Sequence, residues 1–380
     1  MKILFLNPPR FHELVGKNPS VIEHNRGYNP PLGVLALATA VRNTGKHEVS
    51  ALDCQPRQLT YEKLEMFFIE NQFDVVGITA MTFTLIDVML AAEIVKKTQP
   101  DCKVVLGGAH VHIYPEETIQ LKNIDFLVQG EGEIAVIEFL ESLEGKRQFC
   151  DVSGLVYLEH GKFFNNDIAP KIENLDSIAY PDRTFLPVDH YGSLLARGSK
   201  ITTAFTSRGC PYRCTFCDRP MSPTISGFRW RSAKNVVDEM EECVGLGIRE
   251  ILIYDDTFSV RKDRVYEMCD EILSRGIDVT WDIRAHVNTL DGGLLRAMKR
   301  AGCDRIHYGV ESGNDRMLKV IKKNMNVRKV REIFKETRKA GIEALAYFII
   351  GQQTETLSDI QDSIDLAKDI QPDYSHFTIF

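Results

Sequence analysis

Several features that would assign a chain to a broad class are missing from this sequence. Its 380 residues contain no apolar run near the roughly 20 residues that a membrane-spanning helix needs. The apolar start ends at Pro8 and Pro9, too early for a signal peptide. The net charge of -7 disfavours general binding to nucleic acids or anionic membranes. Without an export signal, nine cysteines predict a protein of the reducing cytoplasm rather than a disulfide framework.

Two domains are the first expectation from the length of the chain, because a single hydrophobic core stops growing at about 250–300 residues. The charged fraction of 26% and the lack of low-complexity tracts indicate that both are ordinary globular domains. The order of strand and helix patterns places the first domain at residues 1–145, a hairpin and linker at 146–198, and the second domain at 199–380.

Short apolar strands alternate with amphipathic helices through the first domain. The predicted strands are Ile3–Leu6, Val49–Leu52, Val75–Thr79, Val104–Leu106 and Phe126–Val128. The predicted helices lie near residues 33–43, 61–71, 85–98, 115–121 and 133–143. Five β–α units in series predict a parallel sheet with helices on both faces, a doubly wound α/β domain of flavodoxin or Rossmann type.

A ligand of such a domain binds beyond the carboxyl ends of the strands, at the point where the strand order reverses. In flavodoxin-like order the loops at this point are 7–10 and 79–82, next to Gly107 and Gly108. A glycine pair lets the backbone approach a bulky ligand closely, although such a pair also commonly just ends a strand. No Gly-x-Gly-x-x-Gly follows the first strand, which disfavours a dinucleotide.

The alternation resumes after the linker. The predicted strands are 201–205, 250–254, 278–283, 305–310, 344–350 and 375–380, and the predicted helical regions are 233–246, 261–275, 291–301, 314–340 and 357–369. Six such repeats predict a partial (β/α)6 barrel of TIM type, whose active site lies at the carboxyl ends of the strands. The chain ends within the predicted sixth strand, so we expect either a fragment or a short member of its class.

Three cysteines lie close together after the first strand of the second domain. Cys210, Cys214 and Cys217 have the spacing Cys-x3-Cys-x2-Cys, and thiolates at such short spacing hold iron–sulfur clusters. Structural zinc, the main alternative, is four-coordinate, and three cysteines leave it one ligand short. An iron without a fourth protein ligand can bind a substrate or cosubstrate, as open catalytic metal sites do.

This loop, with the aromatic Phe216 before its last cysteine, resembles the cluster loop of the radical S-adenosylmethionine (SAM) superfamily. The resemblance implies a [4Fe-4S] cluster on Cys210, Cys214 and Cys217, with SAM on the fourth iron. Upstream, four strings resemble the cobalamin-binding domain of one branch of that superfamily: Asn7-Pro8-Pro9, Pro31-Leu32-Gly33, Gly107-Gly108-Ala109-His110 and Gly130-Glu131-Gly132-Glu133. The cobalamin contacts that it implies are Pro8, Pro9, Thr79, Thr82, Gly107, Gly108, Gly130 and Glu131.

Many cobalamin domains carry Asp-x-His-x-x-Gly after the first strand, and the histidine binds cobalt in place of the cofactor's own base. This chain has Arg10-Phe11-His12-Glu13-Leu14 there, so the motif is absent. The resemblance therefore implies base-off cobalamin without a histidine ligand. His12, His110 and His112 are possible substitutes, but loop histidines with no metal role are the simpler interpretation.

Two further strand ends carry charged side chains. Asp255 and Asp256 follow the second strand of the second domain, where they suit an amine, a Mg²⁺ ion or a helix cap. Arg284 follows the third strand and can form a bidentate pair with a carboxylate, of a ligand or of a neighbouring acid. The resemblance implies that the carboxylates hold the amino group of SAM and that Arg284 holds its carboxylate.

The fourth and fifth strands end in strings that resemble further parts of the family pattern. Glu311 and Ser312, within Gly309-Val-Glu-Ser-Gly313, are expected to face SAM, and a carboxylate suits its ribose hydroxyls. Gly351 opens Gly-Gln-Gln-Thr-Glu, where the family commonly reads Gly-x-Pro-Gly-Glu-Thr. The contact on the adenine side of SAM is therefore expected near Gly351, at a place where this chain departs from the pattern.

The sequence thus predicts a cobalamin-dependent radical SAM enzyme that forms a 5′-deoxyadenosyl radical and methylates an unactivated carbon of a small-molecule or peptide substrate. The resemblance implies an external one-electron donor such as flavodoxin or ferredoxin. We expect no nucleic-acid partner and no membrane-spanning segment. The first alternative is a radical oxidative cyclase of the anaerobic Mg-protoporphyrin monomethyl ester cyclase type. The second is a non-catalytic cobalamin sensor or carrier. Residues acting on the substrate are not identified by the sequence.

Overall fold

The structure is a computed structural model that describes residues 1–13, 26–168, 170–198, 200–218 and 227–380. The chain forms two compact units, Met1–Glu173 with Ser177–Ser199, and Asn174–Asp176 with Lys200–Phe380. The segment that we set apart as a hairpin and linker thus belongs mostly to the first unit. No helix in the described residues is both long and apolar enough to span a membrane.

The first unit contains a seven-stranded sheet. Its strands are β1 (Lys2–Asn7), β2 (Glu48–Asp53), β3 (Val75–Thr79), β4 (Lys103–Gly107), β5 (Phe126–Val128), β6 (Leu155–Glu159) and β7 (Lys162–Asn165). They lie in the order β2-β1-β3-β4-β5-β6-β7; the pairs β5–β6 and β6–β7 are antiparallel, and the other pairs are parallel. The five parallel strands are those that the sequence predicted, and the hairpin extends their sheet.

Helices cover both faces of this sheet. They are α1 (Leu32–Asn43), α2 (Tyr61–Glu70), α3 (Leu85–Thr98), α4 (Ala109–Ile113), α5 (Pro115–Ile119) and α6 (Gly132–Leu143). Alternate residues of β1 enter separate cores: Leu4 and Leu6 pack on the side of α2 and α3, and Ile3 and Phe5 on the side of α1 and α6. This period of two follows from strand geometry and produces the predicted doubly wound architecture.

The second unit contains six parallel strands in sequence order. They are β8 (Ile201–Ala204), β9 (Glu250–Ile253), β10 (Thr280–Ala285), β11 (Cys303–Glu311), β12 (Glu343–Ile350) and β13 (Tyr374–Ile379). The helices between them are α7 (Ala233–Gly245), α8 (Lys262–Arg275), α9 (Gly292–Arg300), α10 (Asp315–Val320), α11 (Val327–Ala340) and α12 (Leu357–Ile370). The predicted fold class, including the partial (β/α)6 arrangement, is confirmed.

One predicted element is wrong, because the helical region 314–340 is two helices. The chain leaves the helix after Val320, and both Lys322 and Asn324 adopt a left-handed backbone conformation, with φ of 54° at each. A new helix begins after Asn326, whose side chain accepts a hydrogen bond from the N–H of Lys329 and so caps it. The apolar period alone did not reveal this interruption, which provides a segment of the site described next.

Candidate functional site

The three cysteines of the predicted cluster loop lie beyond the carboxyl end of β8. The N–H of Cys217 donates to the carbonyl of Cys214 at 3.2 Å, and Sγ of Cys210 lies 3.3 Å from Oγ1 of Thr257, which follows β9. Burial raises the pKa of the Cys214 thiol, Lys323 opposes the shift, and the other two cysteines add to it. Cys214 therefore lies close enough to both other thiols to be influenced by their charge.

A buried carboxylate holds the start of this loop. Asp255 is fully buried and accepts hydrogen bonds from the backbone N–H and the hydroxyl of both Thr206 and Ser207, at 2.5–3.1 Å. Arg264 lies 3.9 Å from the same carboxylate and donates to the carbonyl of Thr206 at 2.8 Å. We predicted that Asp255 binds SAM, but its oxygens are occupied by donors of the protein, so it anchors the cysteine loop.

The far side of the loop is held by the segment between α10 and α11. The N–H of Thr215 donates to the carbonyl of Ile321 at 3.0 Å, and Nζ of Lys323 lies 5.7 Å from the centre of the Phe216 ring. The same ammonium donates to Oε1 of Glu311 at 2.7 Å. Glu311 ends β11 with φ of 67°, a strained conformation that is common at functional sites. The sequence pointed to Glu311 and Phe216 but not to Lys323.

His286 connects this segment to the loop a second time. Its ring stacks on Tyr212 with centroids 4.1 Å apart, and its Nε2 lies 2.7 Å from the carbonyl of Lys323. Burial lowers the pKa of His286 to about 4, so the imidazole is neutral at physiological pH. His286 therefore supports the cysteine loop by packing between Tyr212 and the segment that contains Lys323. His286 and Tyr212 were missed because contacts between distant segments leave no local pattern in the sequence.

A [4Fe-4S] cluster fits the thiols that this loop supplies. Across the described ranges, no group of three or more Cys, His, Asp or Glu side chains is arranged as metal ligands, so cluster binding by Cys210, Cys214 and Cys217 stays a prediction. It is supported by the donor set, because thiolates are the ligands of such clusters. It is also supported by the position of the loop beyond a strand end.

Arg284 lies near the end of β10, and its guanidinium is placed to bind an anion. Its guanidinium carbon is 3.7 Å from the centre of the Tyr254 ring, and within the described residues it makes no ion pair. A half-buried arginine that stacks on an aromatic ring keeps its planar donor fork available for a carboxylate. Asp256, the second predicted carboxylate, is also half-buried, unlike Asp255.

The surroundings of Ser312 give it a structural role. Its side chain is fully buried and lies 3.4 Å from the hydroxyl of Ser363 on α12, which also accepts from the N–H of Gly313 at 2.8 Å. A Cβ on Gly313 would lie 2.2 Å from the carbonyl oxygen of Asp362. The Ser-Gly part of the predicted string therefore brings α12 against β11, and within this string Glu311 is the side chain placed beside the cysteine loop.

Gly351 opens a tight turn after β12. Its φ is 88°, and its N–H and that of Gln352 both donate to Oε2 of Glu355. Nε2 of Gln352 and Oε1 of Glu355 are buried and have no hydrogen-bond partner among the described residues. Unsatisfied buried groups are costly in a protein. They fit a polar ligand, such as the adenine of SAM, that would complete their hydrogen bonds.

A line of polar side chains extends across the inward face of three neighbouring strands. Nε2 of His307 lies 3.3 Å from Oδ2 of Asp282, and Nδ1 lies 3.0 Å from the hydroxyl of Tyr347. The opposite faces of these strands pack on helices; for example, the Trp281 indole donates to the carbonyl of Ala301. Sequence reasoning missed this line, although the period-two spacing of polar residues within apolar strands is a usable signal.

The predicted cobalamin contacts lie at the carboxyl edge of the first unit's sheet. Pro8 and Pro9 follow β1 and are buried, whereas Thr82, after β3, is exposed. Oγ1 of Thr82 lies 3.1 Å from Nδ1 of His110, and Thr79 ends β3 itself. The structure therefore places these residues on the loops after two adjacent strands, where a ligand of a doubly wound sheet binds.

The predicted glycines complete that edge. Gly108 has φ of 103°, and a Cβ there would lie 2.7 Å from the carbonyl oxygen of Ala80, so its close approach serves packing between the loops after β3 and β4. Gly107 ends β4. Gly130, with φ of 88°, donates its N–H to Nε2 of His112 at 3.3 Å. Glu131 accepts a hydrogen bond from the N–H of Ile172, which follows the hairpin.

This combination defines a class. It is an α/β protein with two ligand sites expected at strand ends: the carboxyl edge of a doubly wound sheet, and a three-thiol loop after the first strand of a partial (β/α)6 unit, where thiolates can hold an iron–sulfur cluster.

Comparison with known proteins identifies the family. A model described as the radical SAM superfamily matches residues 205–367, and one described as a B12 binding domain matches residues 20–140. An uncharacterised methyltransferase of Pyrococcus horikoshii is 35% identical over all of this chain and 80% of its own length. The chain belongs to the radical SAM enzymes that carry a B12-binding domain. Their cofactors are a [4Fe-4S] cluster, SAM and cobalamin, as the sequence predicted.

Two further proteins resemble the chain. The anaerobic magnesium-protoporphyrin IX monomethyl ester cyclase of Rubrivivax gelatinosus is 26% identical over all of this chain and 68% of its own length. The solved structure of the radical SAM methyltransferase TsrM from Kitasatospora setae, with cobalamin and a [4Fe-4S] cluster bound, has a TM-score of 0.82. It is 19% identical over all of this chain and 74% of that chain, so it supports the fold.

Proposed function

We propose that this protein is a cobalamin-dependent methyltransferase that uses radical SAM chemistry on an unactivated carbon of a small-molecule or peptide substrate. The observation that carries the proposal is the three-thiol loop held at both sides by buried side chains, in a chain that also has a B12-binding domain. The name of the 35% identical relative, a methyltransferase, favours methyl transfer over other radical outcomes.

The predicted site residues of the second unit have separate tasks in this proposal. Cys210, Cys214 and Cys217 hold the cluster. When bound, the cluster and SAM supply a 5′-deoxyadenosyl radical, and cobalamin supplies the methyl group. The proposed contacts to SAM are those of the sequence prediction, now divided by environment. Direct contact is assigned to Phe216, Asp256, Arg284, Glu311 and Gly351, and support of the site to Asp255 and Ser312.

Cobalamin is proposed to lie on the carboxyl edge of the first unit's sheet. Thr82 and Gly108 are exposed there and present a hydroxyl and bare backbone, whereas the buried Pro8 and Pro9 shape the loop after β1. The remaining proposed contacts are Thr79, Gly107, Gly130 and Glu131. The protein's tasks are to bind and orient the cofactor, since its chemistry resides in the corrin.

A reducing environment is part of the proposal. The nine cysteines form no disulfide bond, and all nine lie in the described residues. We place the protein in the cytoplasm, with flavodoxin or ferredoxin as the external electron donor, because the cluster must be reduced by one electron to cleave SAM.

The second candidate is a radical oxidative cyclase. It is favoured by the magnesium-protoporphyrin cyclase that is similar to the whole chain. The two candidates differ in their products, because the proposed methyltransferase consumes two SAM for each methyl group and releases both 5′-deoxyadenosine and S-adenosylhomocysteine. A cyclase releases 5′-deoxyadenosine alone, and a cobalamin sensor or carrier releases neither.

The test is anaerobic reconstitution with iron, sulfide and hydroxocobalamin, followed by incubation with methyl-labelled SAM and reduced flavodoxin. We expect visible thiolate-to-iron absorption, 5′-deoxyadenosine and S-adenosylhomocysteine. Cys214→Ala should abolish the cluster and 5′-deoxyadenosine. Cys150→Ala, which changes an exposed cysteine outside the loop, should leave both unchanged. Formation of 5′-deoxyadenosine without labelled methyl on cobalamin contradicts methyl transfer and favours the cyclase.

A further inference from the structure

Tyr347 lies on the inward face of the second unit, beside the residues that support the cysteine loop. It is half-buried on β12, and its register partner on the neighbouring strand β11 is Gly309. A Cβ on Gly309 would lie 2.3 Å from Oε1 of Glu311 and 2.7 Å from Nζ of Lys323, so this ion pair fills the same face of the sheet. Because the active site of such a unit lies at the carboxyl ends of its strands, we expect a substrate beside the cysteine loop to lie near Tyr347.

A chain of three polar side chains fixes the direction of hydrogen bonding at the Tyr347 hydroxyl. Oδ2 of Asp282 lies 3.3 Å from Nε2 of His307, and Nδ1 of the same ring lies 3.0 Å from the hydroxyl. A carboxylate accepts hydrogen bonds and does not donate them, so Nε2 carries the ring proton. In a neutral imidazole the other nitrogen is then an acceptor, and it takes the hydroxyl proton of Tyr347.

The members of this chain are held in place. The side chains of Asp282 and His307 are 9% and 11% exposed, and the Arg305 guanidinium lies 3.8 Å from the same carboxylate oxygen. The Tyr347 ring stacks on His307 with centroids 6.0 Å apart and meets the ring of His376 edge-on at 5.5 Å. Burial raises the pKa of Tyr347, so its hydroxyl keeps its proton at neutral pH. The direction of the chain is therefore fixed from the buried carboxylate outward to Tyr347.

The Tyr347 oxygen keeps an acceptor position for a ligand. Its proton is committed to His307, its only hydrogen-bond partner among the described residues, and a phenolic oxygen has lone pairs that accept. Arg284, the proposed partner of the SAM carboxylate, is close enough to Tyr347 to act on its charge. A ligand that lies next to SAM on this face therefore meets an oxygen that accepts hydrogen bonds and does not donate one.

We propose that Tyr347 is a specificity-determining residue and that it selects a substrate carrying a hydrogen-bond donor, a hydroxyl or an N–H group. Asp282 and His307 are positioning residues, since they act by holding the Tyr347 oxygen as an acceptor. A carboxylate or phosphate at this place presents only lone pairs, and burying two acceptors against each other without a hydrogen is costly. The inference deepens the proposed function and rests on it for the reaction, but it concerns binding, which is measured without turnover.

The first test measures the position of the His307 ring proton by ¹⁵N NMR. The reconstituted holoprotein, labelled with ¹⁵N-histidine and kept free of reductant, gives spectra in which the two neutral tautomers and the doubly protonated ring differ. His307→Gln identifies the signals of this histidine by their loss, and Tyr347→Phe should shift them. We expect the proton on Nε2. A proton on Nδ1, or on both nitrogens, overturns the proposal, because Tyr347 would then turn its own proton outward.

The second test compares ligands that differ only in the donor. Pairs of alcohols with their methyl ethers, and of secondary amides with their N-methylated amides, are screened by ligand-observed NMR for binding to the same holoprotein with SAM. The member with the donor should bind about threefold to tenfold more tightly, the range expected for one hydrogen bond. Tyr347→Phe should abolish this preference. Tyr266→Phe, which removes an exposed hydroxyl on α8, should retain it.

Each outcome decides the proposal. Equal binding within all pairs, tighter binding of the ethers, or no binding by any pair overturns it, and so does a preference that survives in Tyr347→Phe. If Tyr347→Phe does not fold, the tautomer and the pairwise preference of the wild-type protein still decide. Failure of methyl transfer with the preference intact removes the proposed function and leaves this selection of donors standing. Methyl transfer by a protein without the preference removes this proposal alone.

Discussion

The ion pair between Lys323 and Glu311 provides the sharpest test of how the second unit supports its cysteine loop. Nζ and Oε1 are 2.7 Å apart, and the side chains are only 11% and 8% exposed. A Cβ on Gly309 would lie within 2.3 Å of Glu311 Oε1 and 2.7 Å of Lys323 Nζ, so the pair occupies space that a glycine leaves open. Because both side chains are largely shielded from water, each charge is stabilised mainly by the other.

Lys323→Met should destabilise the protein by about 3–5 kcal/mol, because removing one partner of a buried pair leaves an uncompensated charge. Met keeps most of the aliphatic stem, so little of the loss is packing. Glu311→Gln should also destabilise, but the double variant should lose less than the sum of the singles by about 0.5–3 kcal/mol. The measurement is urea unfolding of the cofactor-free chain under reducing conditions, with a double-mutant cycle.

The matched control is Lys329→Met, which breaks an ion pair with Glu332 on the surface of α11. Exposed pairs contribute about 0–1 kcal/mol, so this variant should unfold close to the wild type. Iron bound per chain after reconstitution gives a second measurement, since the Lys323 ammonium also lies over Phe216 of the cysteine loop. Additive single and double variants, or a Lys323→Met loss no larger than that of the control, would refute the reasoning.

Three further predictions follow from buried groups. The pKa of His286 is lowered from 6.5 to about 4, so its contribution to the free energy of unfolding is complete above pH 6.5 and falls by up to about 3 kcal/mol as the pH drops toward 4. His286→Gln should remove this decrease from a plot of the free energy of unfolding against pH, and parallel plots for the variant and the wild type contradict the prediction. Asp255→Asn should destabilise the protein by about 3 kcal/mol or more and lower the bound iron, because its buried donors lose a charged acceptor. Asp263→Asn, which changes an exposed carboxylate, should leave unfolding close to that of the wild type; equal melting temperatures of the two variants contradict the prediction. Gly313→Ala should destabilise strongly through its 2.2 Å clash, while Gly245→Ala, with open space around it, should be neutral or stabilising; similar melting temperatures of the two contradict it.

Most of the fold could be predicted from local patterns. The parallel strands of both units follow from apolar runs with helices between them, because that alternation admits few topologies. The exception is the region 314–340, where the amphipathic period continues across a break. Two left-handed residues interrupt the helix there, and the backbone preference of Lys322 and Asn324 is too weak a signal to outweigh the period.

The sequence by itself predicted the iron–sulfur cluster, because the spacing of Cys210, Cys214 and Cys217 is a local property of one loop and thiolates have a narrow range of metal partners. Only the tertiary structure decided what each other polar residue does. Asp255 and Asp256 are adjacent and chemically identical, yet one is sealed under the loop by four donors and the other is half-exposed. The burial and the hydrogen-bond partners of a side chain depend on distant segments of the chain. They determine whether the side chain supports the site or faces its ligand.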